Sequence, residues 1–460
     1  MRRVRVLAMD HFSDQDLRAL ETDPALDIRR FPYQRLRTPA IRIMGAAVAR
    51  GLHAYNDPDI APARRRYDAW LRRELRRLYL ESAFDLIVLP SDTFFYVRTL
   101  PSAAHTLGVP VVVMQKETTI SVHTMAEHSQ EMRVEAPFVS DFMTVCSERH
   151  REFWVRAGVD PALIDVTGQP RFDVYASRAS GPASPRRRVL FLTNELDAYV
   201  PGVGQGMGLR TWEPLRDATE AALLQAVRAG HCQVLIKIHP QQNHRDETAR
   251  IARLAGAAWH DGVEVAGIDA DVRELIGAAD VIVGFQSTAL YESVAAGKRT
   301  IYAAWGDEYQ RLRDELIPFD SASPECIVHA TSAENLLYLL SCELPPPSSG
   351  CRDWYESALG PVDGHGTARV VRRLFAIAEA WPPTRARSEL DSRRIPFAVG
   401  LLTRSIAAQA MWTALTPLGS VVGEARRVAI RRERAREKRA RAVVTLRSRS
   451  SARGRGTSTH

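Results

Sequence analysis

Short runs of β-branched and aliphatic residues recur along this chain at helix-sized intervals, and they do so in two separate series. This alternation is what a parallel sheet covered on both faces requires, because each parallel strand is reached through a crossover of a dozen or more residues. The first series places strands at 4–9, 86–89, 109–114, 142–146 and 164–167, with an arginine-rich helix over 64–80 and another over 148–157. The second series opens at 188–193 and continues at 234–238, 263–265, 281–283, 300–303 and 327–329, with a helix over 214–229 in its first interval. Between the series, residues 179–188 (ASGPASPRRR) have the Pro, Ser and Gly content of a linker. The pattern predicts an α/β protein with two doubly wound, Rossmann-like domains facing a cleft. Ligands of such sheets bind outside the carboxyl ends of the strands.

The expected boundaries are a first domain over 1–178, a linker over 179–188, a second domain over 189–385, a helical, mildly apolar extension over 386–424 and a basic tail over 425–460. A length of 460 residues excludes a mini-protein held by disulfides, and 45% apolar with 25% charged residues is ordinary for a globular chain. The net charge of +8 is unevenly placed: residues 425–460 hold thirteen Arg or Lys and two Glu, leaving 49 basic and 52 acidic residues in the rest. The body is therefore near neutral, and only the tail is a candidate for an anionic partner.

Five cysteines with no CxxC pair argue against a disulfide framework and against structural zinc, and fit a reducing cytoplasm. The opening MRRVRVLAMD has too short an apolar stretch for a signal-peptide core and is expected to be a β-strand. In 397–423 Arg404 is the one charge, but small residues and Pro417 favour an interfacial or packed helix over a bilayer span. The tail is charged on every side and rich in Arg, Ser and Gly, so disorder is expected. Beside an apolar segment its predicted partner is the anionic inner face of a membrane, with no nucleic acid expected.

Chemistry concentrates in the second series. The strand ending Lys237-Ile-His239-Pro240 sends Lys237 and His239 out on one face, because side chains alternate along a strand. A cation and a hydrogen-bond donor at a strand's carboxyl end suit a diphosphate leaving group. Next, Ala279-Asp-Val-Ile-Val-Gly284 runs into Phe285-Gln-Ser-Thr288 and a helix, which places Ser287 and Thr288 at its N-terminus, where they cap the helix or receive an anion. Glu292, one turn in, is placed to meet a sugar hydroxyl or simply to complement the helix dipole.

LIKIHP, then ADVIVGFQSTALYESVAAGKRTI, then DGHGTARVV resemble the second half of GT-B transferases that build bacterial surface and capsular polymers, above all the CDP-glycerol:glycerophosphotransferase family. A more distant likeness is to non-hydrolysing UDP-N-acetylglucosamine 2-epimerases. The similarity covers 189–374, and TVCSERHREFWVRAGVDPALIDVTGQPRFD in the first domain is similar to the inter-domain approach of the same group. The resemblance implies a GT-B fold, an acceptor-binding first domain and a second domain holding a UDP- or CDP-activated donor. Diphosphate would lie near Ser287 and Thr288, ribose near Glu292, with Lys237 and His239 toward the phosphates and Gln169 and Arg171 of the Gly-Gln-Pro-Arg turn toward substrate. It implies no cofactor and no metal.

One departure is informative. Glycerophosphotransferases carry a His-Gly pair at a first-domain strand end, where this chain reads Val113-Met-Gln-Lys116-Glu117. Sugar transfer is thus expected in place of glycerophosphate transfer, with Glu117 as the base on the acceptor hydroxyl and Lys116 beside it at the substrate. The expected function is transfer of a glycosyl or polyol-phosphate group to a surface-polysaccharide or lipid-linked acceptor. A UDP-sugar 2-epimerase is the alternative, although the epimerases' Gly-Thr-Arg-Pro-Glu-like opening is replaced here by Met9-Asp-His-Phe-Ser13. A non-enzymatic scaffold or nucleic-acid binder with a basic tail is the remaining one. Asp269-Ala-Asp271 has the DxD form of metal-dependent transferases but precedes a helix, so Asp271 is expected as its N-cap. The run GVGQGMG at 202–208 lacks a P-loop ending, and Asp363-Gly-His365 is either a phosphate donor or a turn and cap.

Overall fold

The computed structural model describes residues 3–115, 120–176, 186–194, 196, 210–240, 242–259, 261–267, 269–381 and 387–391. The chain divides into two compact units, Met1–Ser388 and Glu389–His460. The first unit holds two six-stranded sheets, both parallel throughout. Of the second unit only residues 389–391 are described. The apolar extension over 397–423 and the basic tail lie outside the described residues.

The first sheet contains β1 (Val4–Asp10), β2 (Leu26–Pro32), β3 (Leu86–Leu89), β4 (Val111–Met114), β5 (Phe142–Val145) and β6 (Ile164–Val166), in the order β2-β1-β3-β4-β5-β6. The second contains β7 (Arg187–Leu192), β8 (Cys232–Lys237), β9 (Val263–Val265), β10 (Val281–Gly284), β11 (Arg299–Ala303) and β12 (Val328–Ala330), in the order β12-β11-β10-β7-β8-β9. The central strands β3, β4 and β10 are buried at every residue, which is why they read as unbroken apolar runs. Each sheet reverses direction once, between β1 and β3 and between β7 and β10. Those are its topological switch points.

β2 is the one strand that the apolar pattern does not reveal. It is an edge strand paired only with β1, and in LDIRRFP just Leu26 and Phe31 are buried. Arg29 and Arg30 stay at the surface and pair with Glu81, Asp14 and Glu21. Charged side chains are common on edge strands because they blunt the exposed ladder.

The helix Gly366–Ala380 lies where its position in the sequence does not place it. Expected within the second domain, it buries Val370, Val371, Leu374 and Ile377 against Val4, Val6, Ala8 and Leu86 of the first sheet. The chain passes back by a close approach at Gly360, whose φ is +76°, and a Cβ there would stand 1.7 Å from the Cys146 carbonyl oxygen. Ser147 Oγ also donates to the Ser357 carbonyl at 2.8 Å. Both domains of the unit are thereby tied by the same returning segment.

The cysteine expectation is corrected. Cys326 and Cys351 form a disulfide with Cα atoms 5.4 Å apart and a sequence separation of 25. Spacing along the chain held no sign of it, because the two positions meet only after the segment following β11 folds against the helix Arg352–Leu359, beside Val294, Trp354 and Tyr355.

Candidate functional site

The carboxyl ends of β7, β8 and β10 converge at the switch point of the second sheet. Along β8 the apolar Val234, Ile236 and Ile238 are buried while Lys237 and His239 are partly exposed. The alternation expected from the sequence is present, and both polar side chains leave on the face opposite that of Val234, Ile236 and Ile238. The Thr193 hydroxyl, just past β7, accepts the His239 backbone N–H at 2.8 Å and donates to Gln242 Oε1 at 3.0 Å. Gln242 Nε2 in turn donates to the Asn194 carbonyl at 3.2 Å. Thr193 and Gln242 therefore hold the two strand ends together, a role no sequence motif announces.

Lys237 Nζ lies 3.5 Å from the Gly267 carbonyl oxygen. Desolvation lowers its pKa, and the Asp269 carboxylate acts in the opposite sense. The ammonium is thus directed to the loop between β9 and the helix Val272–Ala278. At the start of that helix Asp271 accepts the Arg273 N–H at 2.9 Å, so it is the N-cap, as its position predicts. It also accepts from Gln15 Nε2 of the first domain at 3.0 Å and pairs with Arg273 at 2.6 Å. Among the described residues no group of three or more His, Cys, Asp or Glu is disposed to hold a metal ion.

At the end of β10, Gln286 has φ +46°, in the left-handed region that non-glycine residues seldom enter. Its amide explains why it is held there, donating to Tyr302 Oη at 2.8 Å and accepting from the Ile317 N–H at 2.9 Å. Ser287 Oγ accepts the Ala289 N–H at 3.3 Å, whereas Thr288 at the N-cap makes no side-chain capping bond. The helix they precede, Ala289–Ala295, has only seven residues.

Glu292, expected to face a ribose, is 5% exposed and accepts a hydrogen bond from Tyr175 Oη at 2.7 Å. Its partner arrives from the turn that follows β6. Phe172 and Tyr175 of this turn are buried in the second domain's core with Leu190, Ile282 and Leu290. The turn is consequently a joint between the sheets.

Gln169 and Arg171, expected to meet substrate, belong to this joint. Gln169 is 2% exposed and donates to the Gln115 carbonyl at 2.6 Å. Arg171 donates its backbone N–H to Asp16 Oδ1 at 3.0 Å, and its guanidinium lies 3.9 Å from Asp16 Oδ2. Burial pushes the Asp16 pKa up against the pull of Arg171. Desolvation disfavours the charge on Arg171, but Asp16 and Glu292 outweigh it and raise its pKa. Asp173 accepts the Gly366 and Thr367 N–H groups at 2.7 and 2.8 Å, so it caps the helix Gly366–Ala380. Asp363 binds the His365 N–H at 3.0 Å and Arg369 at 2.8 Å, which makes Asp363-Gly-His365 a turn. Side chains a short distance apart in the motif thus serve the joint, and what the resemblance hid is that their partners are protein groups.

Lys116 and Glu117 lie outside the described residues, as does the Gly-rich run 202–208. Immediately before them, Gln115 Oε1 is buried and has no hydrogen-bond partner among the described residues, and the same holds for Gln169 Oε1.

Two parallel six-stranded sheets with helices on their faces, each with a single switch point, define a two-domain α/β protein of GT-B type. No protein-family model matches the chain. No curated protein matches it either. Among solved structures it is similar to the UDP-GlcNAc 2-epimerase of Methanocaldococcus jannaschii, at 12% identity and a TM-score of 0.47, over 81% of this chain and 99% of that one. It is also similar to S. aureus MnaA solved with UDP, at 10% identity and a TM-score of 0.48, over 82% and 97%. A third is the Anabaena HepE in complex with UDP and glucose, at 14% identity and a TM-score of 0.42, over 82% and 99%. The reaction has to be read from this chain's own residues.

Proposed function

We propose that this chain is an enzyme acting on a nucleoside-diphosphate sugar, and that it moves the glycosyl group to a surface-polysaccharide or lipid-linked acceptor. The observation that carries this reading is the exit of Lys237 and His239 on one face of β8, beside the Thr193 and Gln242 cluster at the switch point. There a diphosphate would meet a cation and an imidazole at the edge where ligands of such sheets sit. When the bond from the anomeric carbon to the phosphate oxygen breaks, its electron pair goes to the diphosphate. Lys237 and His239 stabilise that growing charge. Glu117 takes the proton of the acceptor hydroxyl as the hydroxyl oxygen bonds to the anomeric carbon.

A UDP-sugar 2-epimerase breaks the same bond but returns the nucleotide to the same sugar, so one donor site serves both readings. Incubation with UDP-N-acetylglucosamine and no acceptor divides them. Conversion to the 2-epimer would replace the transferase reading, whereas a transferase leaves the sugar's C2 configuration intact.

Donor binding is tested first, by thermal unfolding with UDP, CDP and their sugar conjugates. Saturation a hundredfold above Kd adds about 2.7 kcal/mol to stability. The expected result is a rise in Tm with a uridine or cytidine diphosphate that Lys237→Met largely removes. No response to any of them ends the proposal. Glu117→Gln is expected to abolish transfer while leaving the nucleotide-induced rise in Tm unchanged.

A further inference from the structure

The arginine-rich helix between β2 and β3 runs over Ala61–Glu81, and no candidate site residue lies on it. Its buried side chains, among them Ala63, Tyr67, Leu71, Leu75 and Leu78, recur every three or four residues and form one stripe. That stripe is committed to the interior of the first domain, where Tyr67 Oη donates to the Tyr96 carbonyl at 2.8 Å. The exposed positions are Pro62, Arg65, Arg66, Ala69, Arg73, Arg76 and Arg77. At 3.6 residues per turn the first six of these fall within an arc of about 100°, and the row from Arg65 to Arg76 is about 16 Å long.

The helix sorts its arginines into two groups. Arg64 donates to the Tyr55 carbonyl at 2.7 Å, Arg72 pairs with Asp68 at 2.9 Å and Arg77 with Glu81 at 3.1 Å. Glu74, the remaining carboxylate of the helix, is engaged by Arg35 at 2.7 Å. Arg65, Arg66, Arg73 and Arg76 make no hydrogen bond or ion pair among the described residues, and no acidic side chain shares their arc. Like charges three or four residues apart, such as Arg73 and Arg76, destabilise a helix, so the row calls for an anion from outside the fold. The near-zero net charge of the body conceals it, because the balancing carboxylates lie elsewhere.

The shape of the face selects the partner. The outer side of a helix is convex and offers no walls to a small ligand or a single nucleic-acid strand, whereas a flat array of phosphates meets all four guanidinium groups at once. With the apolar stripe buried, nothing remains to enter the acyl chains, so contact stays at the headgroups and is electrostatic. Trp70, partly buried beside the row and stacked on Tyr67 with ring centroids 5.5 Å apart, adds an indole, a group that settles at headgroup level. We propose that the outer face of the helix Ala61–Glu81 docks on an anionic phospholipid bilayer, with Arg65, Arg66, Arg73 and Arg76 on lipid phosphates. This surface belongs to the folded first domain, is distinct from the basic segment 425–460, and holds whichever reaction the donor site carries out.

The test is partitioning of the full chain onto vesicles of phosphatidylglycerol and phosphatidylcholine. One basic residue at such a surface is worth roughly fivefold, so three simultaneous contacts multiply to roughly a hundredfold. The variant carrying Arg65→Gln, Arg66→Gln, Arg73→Gln and Arg76→Gln should lose affinity by about that factor. A variant of equal charge, with the exposed second-domain residues Arg228, Arg245, Arg253 and Arg352 changed to Gln, should bind nearly as the wild type does. Phenylglyoxal modification of the wild type, read by peptide mass, needs no variant: the vesicles should slow reaction at the four helix arginines and not at the four others. Equal loss in the two variants, unaltered reactivity of the helix arginines on vesicles, or their protection by a DNA duplex in place of vesicles would overturn the proposal. The UDP-induced rise in Tm is read on the same variants and should persist, so failure here is distinguishable from failure of the donor site.

Discussion

Asp85 shows how much one buried carboxylate can hold. It is 2% exposed and receives the Arg5 backbone N–H at 2.9 Å, the Arg5 guanidinium at 2.7 Å and Arg387 from the far end of the unit. Desolvation pushes its pKa up, but the Arg5 hydrogen bonds and the charges of Arg5 and Arg387 outweigh it and hold the pKa at about 2. A carboxylate depressed on folding stabilises the native state above its unfolded pKa and loses that contribution as pH falls through the folded value. The difference is about 2 kcal/mol by linkage, lost between roughly pH 4 and pH 2. Urea unfolding of the wild type and Asp85→Asn should therefore differ at pH 7 and converge near pH 2. A constant difference across that range would show that Asp85 acts through packing alone. At this scale the sequence was uneven: alternation located Lys237 and His239, but Glu292 finds Tyr175 at a separation of 117 residues, which no local pattern encodes.

Among the elements, the helix Gly366–Ala380 depends on a cap that is remote in sequence. Asp173 supplies both oxygens to its first N–H groups, across 193 and 194 positions. Asp173→Ala should cost about 1 to 2 kcal/mol, the usual range for a lost N-cap, and lower the denaturation midpoint without changing its slope. Gly360→Ala should be harsher still, because the added Cβ falls 1.7 Å from the Cys146 carbonyl oxygen and φ is +76°. Soluble expression of that variant at the wild-type level, with an unchanged Tm, would contradict the close approach. The strands tell a complementary story. Buried parallel strands such as β3, β4 and β10 announce themselves because both faces must be apolar, while β2 escapes notice because its surface arginines interrupt the pattern.

For the whole molecule, the disulfide gives a direct count. Alkylation of the denatured, unreduced protein should label three of the five cysteines, Cys146, Cys232 and Cys342, and all five after reduction. Closing a loop of this length is worth about 3 kcal/mol, so reduction should lower the unfolding midpoint. Labelling of all five without reductant would remove the bond from the account. The basic tail makes a separate prediction. Deleting 425–460 should reduce co-sedimentation of the full chain with phosphatidylserine vesicles, since each basic residue near such a surface contributes about 1 kcal/mol, and should leave the UDP-induced rise in Tm intact. Equal recovery with neutral and anionic vesicles would refute the membrane address.

Two βα series were enough to determine two doubly wound parallel sheets and the strand ends where polar residues emerge. Those features follow from local periodicity, because strand spacing and side-chain alternation are properties of neighbouring residues. Tertiary structure alone decided which polar residues stay accessible. It turned Gln169, Arg171, Asp173 and Glu292 inward as a joint, joined Cys326 to Cys351, and returned the helix Gly366–Ala380 to the first sheet. Each of these depends on which distant segments the packed sheets bring together, and spacing along the chain carries no record of that.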